Sequence, residues 1–266
     1  MQNFLKSVYH LILDKPRIYF NHIAFRLFGN PKRNFEYLEN LRDQYQGKRC
    51  FIICNGPSLK AEDLTKIHEN GDVSFACNKI DKIFPKTPWR PTFYTVADEG
   101  YQRSLLKTMQ VVDSQCQFYR TDSYLTTRKI KDKKVIWLNT DGNKKYLDKP
   151  KFADNVTEKI YVIGTTTFML MELAVYMGFK EIYIIGCDNS YGINIQKDGS
   201  VVKTGQQSYF EGMDKKTQSL SASVWQMNIA YECAKKYADS NGIKIFNATR
   251  GGHLEFFDRV DFDTLF

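Results

Sequence analysis

From residue 48 onward, short runs of hydrophobic and β-branched residues alternate with longer segments whose hydrophobic residues recur at helical spacing. The short runs predict strands at 49–54, 73–77, 92–97, 117–120, 134–138, 160–163, 181–186 and 243–246. The helical spacing predicts helices at 59–67, 167–177 and 217–240. Strands of about five residues separated by helices indicate an α/β fold, with a Rossmann-like parallel sheet and helices on both faces.

The first 33 residues follow a different pattern and carry most of the positive charge. Their hydrophobic residues recur at helical spacing in 4–12 and 18–28, on either side of Pro16. Six basic residues stand against one acidic residue, whereas residues 34–266 have 32 basic and 29 acidic residues. We therefore divide the chain into a basic amphipathic N-terminal helical segment, 1–33, and a Rossmann-like catalytic domain, 34–266. The segment predicts contact with a membrane surface, and packing on the domain or on a protein partner is the alternative.

Composition and charge narrow the classes of function and the cellular location. With 42% hydrophobic residues, the chain of 266 residues can bury one sizeable core. The near balance of charge in 34–266 argues against nucleic-acid binding. The six cysteines form no C-x-x-C pair, which indicates buried thiols in a reducing compartment. Without a signal-peptide pattern or a run of about 20 apolar residues, we expect a cytoplasmic protein, peripheral on the inner face of the plasma membrane if residues 1–33 meet lipid.

The first candidate site is the turn Asn55-Gly56-Pro57-Ser58, which directly follows the predicted strand 49–54. Gly56 permits a tight turn with close approach of the backbone, and Pro57 fixes φ. Ser58 is a good N-cap for the helix predicted to begin at the next residue. Free N–H groups and the helix dipole would then form a place for a phosphate. The alternative is an ordinary connection between a strand and a helix.

Polar residues follow other predicted strands or open the next helix. Thr165 and Thr166 follow Gly164 at the start of helix 167–177, where they can donate to a carboxylate or phosphate or simply cap the helix. Four strand ends bear Asn55, Asn78, Asp98 and Asp188, and Tyr191 lies close behind the last of these. In a parallel sheet these ends meet at one edge, where ligands bind.

Histidine is scarce, and one histidine lies within reach of that edge. His253 follows the last predicted strand, in the sequence Arg250-Gly251-Gly252-His253. It could act as a base, although a residue of a surface turn is the more ordinary interpretation.

Two stretches of the chain resemble bacterial sialyltransferases that decorate capsule and lipooligosaccharide. CFIICNGPSLK (50–60) followed by FACNKID (75–81) is similar to the strand, N-G-P-S turn and C-N that build the cytidine-monophosphate-sugar site in those enzymes. TTTFMLMELAVYMGFKEIYIIGCDNSY (165–191) is similar to their T-S-G helix and G-x-D strand end. The same features occur in a wider family that includes flagellin-glycosylation proteins and a 6-hydroxymethylpterin diphosphokinase. The resemblance covers roughly residues 48–250.

The resemblance implies roles for single residues. Asn55, Gly56 and Ser58 would contact the donor phosphate and the sugar nucleotide, and Asn78 would hold ribose or sugar. Thr165 and Thr166 match the pair that meets the sialyl group. Asp98 falls near a polar residue of the family at the third strand end, and Asp188 and Tyr191 would lie near the nucleotide and its phosphate.

Two departures separate the chain from the strict sialyltransferases. Those enzymes have an Arg just before the Thr-Ser pair, where this chain has Ile163-Gly164. They also place a catalytic His near the start of the last long helix, where this chain has Ser219-Leu220-Ser221. The wider family therefore fits better.

We carry three hypotheses forward. The first is a glycosyltransferase that uses a nucleotide-activated sugar, with a CMP-sugar favoured, a glycan or lipid-linked acceptor, no required cofactor, and Asp188, Asp98 or His253 as base. The second is a diphosphokinase of the 6-hydroxymethylpterin type, in which Asp98 and Asp188 hold Mg²⁺. The third is a non-catalytic protein that binds sugar nucleotides. Each of these three hypotheses is compatible with a homo-oligomer.

Overall fold

The computed structural model describes residues 15–131 and 133–266, so the first hydrophobic run of the N-terminal segment, 4–12, lies outside the described residues. Its centre is a sheet of eight strands in the order β13-β12-β8-β1-β2-β3-β4-β5, in which all neighbours run parallel. The strands of this sheet are β1 (Arg49–Ile53), β2 (Val73–Cys77), β3 (Phe93–Thr95), β4 (Cys116–Arg120), β5 (Val135–Leu138), β8 (Glu181–Ile185), β12 (Lys244–Asn247) and β13 (Asp258–Arg259).

Helices connect these strands and cover both faces of the sheet, as the sequence predicts. They are α1 (Lys15–Phe28), α2 (Pro31–Leu41), α3 (Ala61–Glu69), α4 (Glu99–Ser104), α5 (Leu106–Val111), α6 (Tyr124–Thr127), α7 (Thr166–Tyr176), α8 (Lys215–Gln218) and α9 (Val224–Ser240). Short 3-10 turns lie at Ile80–Lys86, Thr121–Ser123, Lys144–Leu147 and Phe262–Leu265. None of the helices in the described ranges is long and apolar enough to cross a membrane.

Side chains of one strand point alternately into two hydrophobic clusters, one on each face of the sheet. On β1, Cys50 and Ile52 face the cluster that contains the buried side of α7. Phe51 and Ile53 face the opposite cluster, which contains Leu64 of α3. All four of these β1 side chains are fully buried, which explains why the strand reads as a continuous hydrophobic run.

The strand order reverses between β1 and β8. From β1 the chain builds outward through β2, β3, β4 and β5, and it then returns to the other side of β1 to add β8, β12 and β13. Helical connections on opposite sides of such a point leave a crevice beyond the carboxyl ends of the two strands. This reversal places the segments that follow β1 and β8 side by side.

Several predicted elements differ from the structure. The strand predicted at 160–163 is the two-residue β7 (Ile160–Tyr161), which pairs with β6 (Thr140–Asp141) outside the main sheet. The helix predicted at 217–240 begins only at Val224, because residues just before it form a strand, β11 (Ser221–Ala222). This strand pairs with β9 (Ile193–Ile195), and β9 also pairs with β10 (Val201–Lys203). These short strands depend on partners that are distant in sequence, which local spacing does not report.

Glu172 is a fully buried carboxylate at the centre of α7. Its two oxygens accept the backbone N–H groups of Ala153 at 2.7 Å and Tyr161 at 3.0 Å. The side chain therefore ties α7 to the loop before β7 and to β7 itself. Burial raises the pKa of Glu172 well above its ordinary value, and the two N–H donors oppose that rise.

This buried carboxylate should make the folded protein less stable as the pH rises. The unfolded chain releases the Glu172 proton near its ordinary pKa of 4.5, whereas the folded state keeps it to higher pH. Stability is therefore lost as the pH rises from that value through the folded-state pKa, with a slope of up to about 1.4 kcal/mol per pH unit. Urea unfolding of wild type and of Glu172→Gln between pH 5 and 8 measures how the free energy of unfolding changes with pH. Gln cannot titrate, so equal slopes in the two proteins would contradict the account.

Candidate active site at the carboxyl ends of β1 and β8

A cavity of about 180 Å³ lies in the crevice where the strand order reverses. Its floor is formed by the segments that follow β1 and β8, and one side by the first turn of α7. The residues that line it are Cys54, Asn55, Gly56, Cys77, Asn78, Gly164, Thr165, Thr166, Thr167, Gly186, Cys187, Asp188, Asn189, Ser190, Tyr191, Ser208, Tyr209, Ser221, Ala222, Met227 and Tyr231. The fold therefore brings strand ends far apart in sequence around one space, as expected for this class of sheet.

The turn after β1 packs closely against the turn after β8. The Gly56 N–H donates to the Gly186 carbonyl at 2.7 Å, and a Cβ on Gly56 would lie 2.0 Å from Asp188 Oδ2. Ser58 donates to that same oxygen from its Oγ at 2.8 Å and from its N–H at 3.3 Å. Only glycine fits at position 56, because any side chain would meet the carboxylate.

These bonds change the role that the sequence suggests for the Asn55–Ser58 turn. The N–H groups of Gly56, Ser58 and Leu59 all donate within the protein, and Pro57 has none. Ser58 does not cap a helix, since α3 begins at Ala61 with Lys60 as its N-cap residue. The turn therefore supports Asp188, and these three N–H groups are engaged within the protein.

Asp188 is the acidic group of the cavity wall, and its side chain is buried. Burial raises the pKa of Asp188 above its ordinary value, and the two hydrogen bonds from Ser58 oppose the rise. Its backbone is held too, because the His253 N–H donates to the Asp188 carbonyl at 2.7 Å. Gly252, at a φ of +74°, permits that contact, since a Cβ there would lie 2.7 Å from Asp188 Cα.

Three asparagines that line the cavity, Asn55, Asn78 and Asn189, each have a buried amide oxygen, Oδ1, without a hydrogen-bond partner in the described structure. The orientation of two of these amides is fixed by their nitrogens: Asn55 Nδ2 donates to the Cys77 carbonyl at 3.0 Å, and Asn189 Nδ2 donates to Asn228 Oδ1 at 3.0 Å. A buried acceptor without a donor is costly, so these oxygens favour a ligand that supplies hydroxyl or amino hydrogens.

The N-terminus of α7 forms a different wall of the cavity. Thr165 caps this helix, and its Oγ1 accepts the Thr167 N–H at 3.3 Å. Thr165, Thr166 and Thr167 all line the cavity, so the positive end of the α7 dipole points into it. An anionic group is best accommodated here, whereas the amide oxygens lie on the floor.

The segment from Asn189 to Ser223 closes the cavity from outside, and we call it the lid. It contributes Tyr191, Ser208, Tyr209 and Ser221 to the wall and carries the small sheet β9–β11. The Phe210 N–H donates to the Asn55 carbonyl at 3.0 Å, and Lys79 Nζ contacts Asp214 Oδ2 at 2.8 Å. At about 180 Å³, the cavity is smaller than typical ligand pockets, which measure roughly 300–1,000 Å³.

The structure brings together most of the residues that the sequence singles out. Those that line the cavity are Asn55, Gly56, Asn78, Thr165, Thr166, Asp188 and Tyr191. Pro57 and Ser58 lie directly behind it, and Ser58 reaches Asp188.

Two predicted catalytic candidates lie outside the cavity. Asp98 is exposed and caps α4, where its Oδ1 accepts the Tyr101 N–H at 2.6 Å. His253 is exposed, with Nε2 at 3.5 Å from Gln206 Nε2, and its backbone N–H donates to the Asp188 carbonyl. Asp98 follows β3, which is the second strand from β1 in the sheet. This places Asp98 roughly 10 Å across the sheet from the end of β1 and explains why it does not line the cavity.

Asp98 and Asp188, the two carboxylates of the diphosphokinase hypothesis, each accept hydrogen bonds within the protein. Asp98 Oδ1 is engaged by its own helix, and Asp188 Oδ2 accepts two hydrogen bonds from Ser58. No group of three or more His, Cys, Asp or Glu side chains in the described ranges is arranged to hold a metal ion. Apart from the Asp188 carboxylate, the oxygen- and nitrogen-bearing side chains that line the cavity are neutral amides and hydroxyls.

No role is assigned from the sequence to Asn189, Ser208 or Tyr209, although Asn189 lies between two predicted site residues. Asn189 directly follows Asp188 and has a φ of +53°, a left-handed conformation that Asn adopts more readily than most residues. An Asp-Asn pair after a buried strand is therefore a usable signal. Nothing in the local sequence marks Ser208 and Tyr209, because they reach the cavity only through the long lid.

Comparisons with known proteins agree with this architecture. The structure of the MAf glycosyltransferase from Magnetospirillum magneticum AMB-1 superposes with a TM-score of 0.52 over 89% of this chain, at 13% sequence identity. The present chain covers 39% of the length of that protein, and at this identity the likeness concerns the fold. No curated protein sequence matches. The family model for 6-hydroxymethylpterin diphosphokinase MptE-like proteins matches residues 25–194, which are 170 of the 266 residues. The chain therefore belongs to the MptE-like family.

Proposed function

We propose that this protein transfers a sugar from a nucleotide-activated donor to a hydroxyl of a glycan or lipid-linked acceptor in the synthesis of a bacterial surface glycoconjugate. The donor that the cavity favours is CMP-sialic acid or a related CMP-nonulosonate. The observation that carries the proposal is the wall of the cavity: unpaired amide oxygens, many hydroxyls, one helix N-terminus and one buried carboxylate.

Charge favours a donor with a single phosphate. The described residues that line the cavity include no Lys, Arg or His. A triphosphate needs Mg²⁺ and basic side chains to hold its charge. One phosphodiester, or one sialyl carboxylate, can be held by the neutral donors and the dipole at the start of α7. The chemistry of the wall thus supports a CMP-sugar over ATP.

The amide oxygens complement the remainder of such a donor. Ribose and sugar hydroxyls, and the amino group of cytosine, all supply hydrogens for acceptors. Asn55, Asn78 and Asn189 offer acceptors at the carboxyl ends of β1, β2 and β8. The anion then lies toward Thr165 and Thr166, and the hydroxyl-bearing parts lie toward the floor.

Asp188 is the base in this mechanism. It removes the proton of the acceptor hydroxyl while the oxygen of that hydroxyl bonds to the anomeric carbon of the donor sugar. The bond between this carbon and the phosphate oxygen breaks, and the nucleoside monophosphate leaves with the bonding electron pair. Burial raises the pKa of Asp188, which makes it a stronger base than an exposed Asp, and Ser58 fixes its position.

A diphosphokinase remains the rival activity because the chain belongs to the MptE-like family. That reaction would require Mg²⁺ between Asp98 and Asp188. Asp98 is exposed and accepts the Tyr101 N–H at the start of α4, which makes a shared Mg²⁺ site with Asp188 the less favoured arrangement.

Ligand-dependent thermal unfolding separates the two activities. At one hundred times its Kd, CMP should raise the unfolding temperature by roughly 5–10 °C. CMP-sialic acid should release CMP in the presence of EDTA when a suitable acceptor is supplied. Stabilisation by ATP with Mg²⁺ and none by CMP would overturn the proposal in favour of the diphosphokinase.

A further inference from the structure

Helix α1 carries a hydrophobic stripe on its outer side. Tyr19, Ile23 and Leu27 are spaced four residues apart, and Phe20 lies next to them on the same side of the helix. Tyr19, Phe20 and Leu27 are 64%, 61% and 69% exposed. Surface helices ordinarily turn polar residues outward, so a stripe of this kind indicates a surface that is covered in use.

The opposite side of α1 holds the helix firmly on the domain. The Phe25 ring packs edge-on against Tyr124, with centroids 5.6 Å apart, and lies 6.0 Å from the Trp137 ring. Asn21 Oδ1 accepts the Leu125 N–H at 2.8 Å. The hydrophobic stripe is therefore exposed on a helix whose other side packs against the domain.

Positive charge surrounds the stripe. Residues 15–35 contain five basic residues and no Asp or Glu. A groove of about 440 Å³ continues from the end of α1, and Arg33, Lys133 and Lys134 lie in its wall together with the acidic Glu36. Lys134 Nζ lies 3.7 Å from the centre of the Tyr37 ring. Among the described residues of the groove wall the basic groups outnumber the acidic ones, although Lys133 Nζ also lies 3.7 Å from Asp113 Oδ1. The groove adjoins the exposed apolar residues at the end of α1.

We propose that α1 and this groove form a docking surface for an anionic lipid bilayer. The stripe lies in the boundary between headgroups and acyl chains, and the basic residues face the headgroup phosphates. Aromatic side chains such as Tyr19 suit that boundary. A second copy of the chain is the poorer occupant, because pairing this surface with itself would bring basic residues such as Arg26 and Arg33 close to their own copies.

Vesicle flotation with the full chain tests the apolar part of the surface. Wild type should float with vesicles of phosphatidylcholine containing phosphatidylglycerol and not with phosphatidylcholine alone. The triple variant Tyr19→Ser, Phe20→Ser, Leu27→Ser should bind roughly tenfold or more weakly. Val201→Ser with Val202→Ser is the matched control, because these residues of β10 are 62% and 43% exposed and belong neither to α1 nor to the groove wall. Circular dichroism and unfolding temperature establish that each variant is folded.

A second pair of variants tests the basic part. Arg33→Gln with Lys134→Gln should weaken binding severalfold, and raised salt should weaken wild-type binding in the same direction. Lys180→Gln with Lys197→Gln removes the same charge from exposed positions elsewhere, and it should leave binding near the wild-type level. Lys180 adjoins β8, five strand positions or roughly 24 Å from β5.

Three results would overturn this proposal. One is wild type that does not float with anionic vesicles. Another is a triple serine variant that is folded and floats as well as wild type. The last is a wild type that is dimeric and a triple serine variant that is monomeric, with neither protein binding vesicles. That result would show that the stripe mediates self-association. The proposal does not depend on the reaction catalysed at the cavity.

Discussion

Replacing Asp188 with Asn is expected to slow glycosyl transfer by roughly 10²–10⁴-fold while leaving the fold intact. Asn has nearly the same shape, and its Oδ1 can still accept the two hydrogen bonds that Ser58 donates to the carboxylate. It cannot accept a proton from the acceptor hydroxyl. Turnover of CMP-sialic acid, measured as CMP release with acceptor present, gives the rate.

The same variant has a second expected property. Because burial raises the pKa of Asp188, the ionised carboxylate is disfavoured in the folded protein, so the neutral Asn should unfold at an equal or higher temperature at neutral pH. CMP should still stabilise the variant. A rate close to that of wild type would exclude Asp188 as the base.

Asp98→Asn is the matched control, since Asp98 also follows a strand of the parallel sheet. Asn is an equally good N-cap, so α4 should be unaffected, and glycosyl transfer should continue. Suppose that each of the single variants Asp98→Asn and Asp188→Asn abolished activity and that activity required Mg²⁺. The two carboxylates would then have to act together, as the diphosphokinase hypothesis requires.

Gly56→Ala should damage both stability and activity. The new methyl group would lie 2.0 Å from Asp188 Oδ2 and 2.5 Å from the Gly186 carbonyl oxygen, and the second of these atoms belongs to the backbone. We expect a loss of roughly 1–3 kcal/mol in the free energy of unfolding, as for other overpacked sites, and loss of transfer because Asp188 is displaced. Urea unfolding and CMP release measure the two effects.

Gly142→Ala is the control for this substitution. The nearest atom to its new methyl group, the Val162 carbonyl oxygen, lies at 3.6 Å, an ordinary contact distance. That variant should resemble wild type in both measurements. A Gly56→Ala protein as stable and active as Gly142→Ala would show that the two turns are not held as closely as described.

The sequence predicted the fold and much of the site for one physical reason. In a parallel sheet the carboxyl ends of the strands lie at one edge, so Asn55, Asn78 and Asp188 had to be neighbours once their strands were recognised. The buried strands around β1 read clearly because hydrophobic residues face both sides of the sheet.

The parts that sequence reasoning misjudged depend on contacts between distant segments. Ser58 suits an N-cap locally, but Asp188, 130 residues away, engages it instead. Asp98 follows a strand as Asp188 does, yet the cavity occupies only the point where the strand order reverses, and this order cannot be read from local periodicity. The lid strand β11 exists only through its pairing with β9.

A crystal structure of the protein with CMP tests the central claim most directly. The account predicts CMP in the cavity beyond β1 and β8, with its phosphate near Thr165 and Thr166 and with ligand hydroxyl or amino groups bonded to Oδ1 of Asn55, Asn78 or Asn189. CMP bound at another surface, or a phosphate seated on the Asn55–Ser58 turn with the three amide oxygens still unpaired, would contradict it.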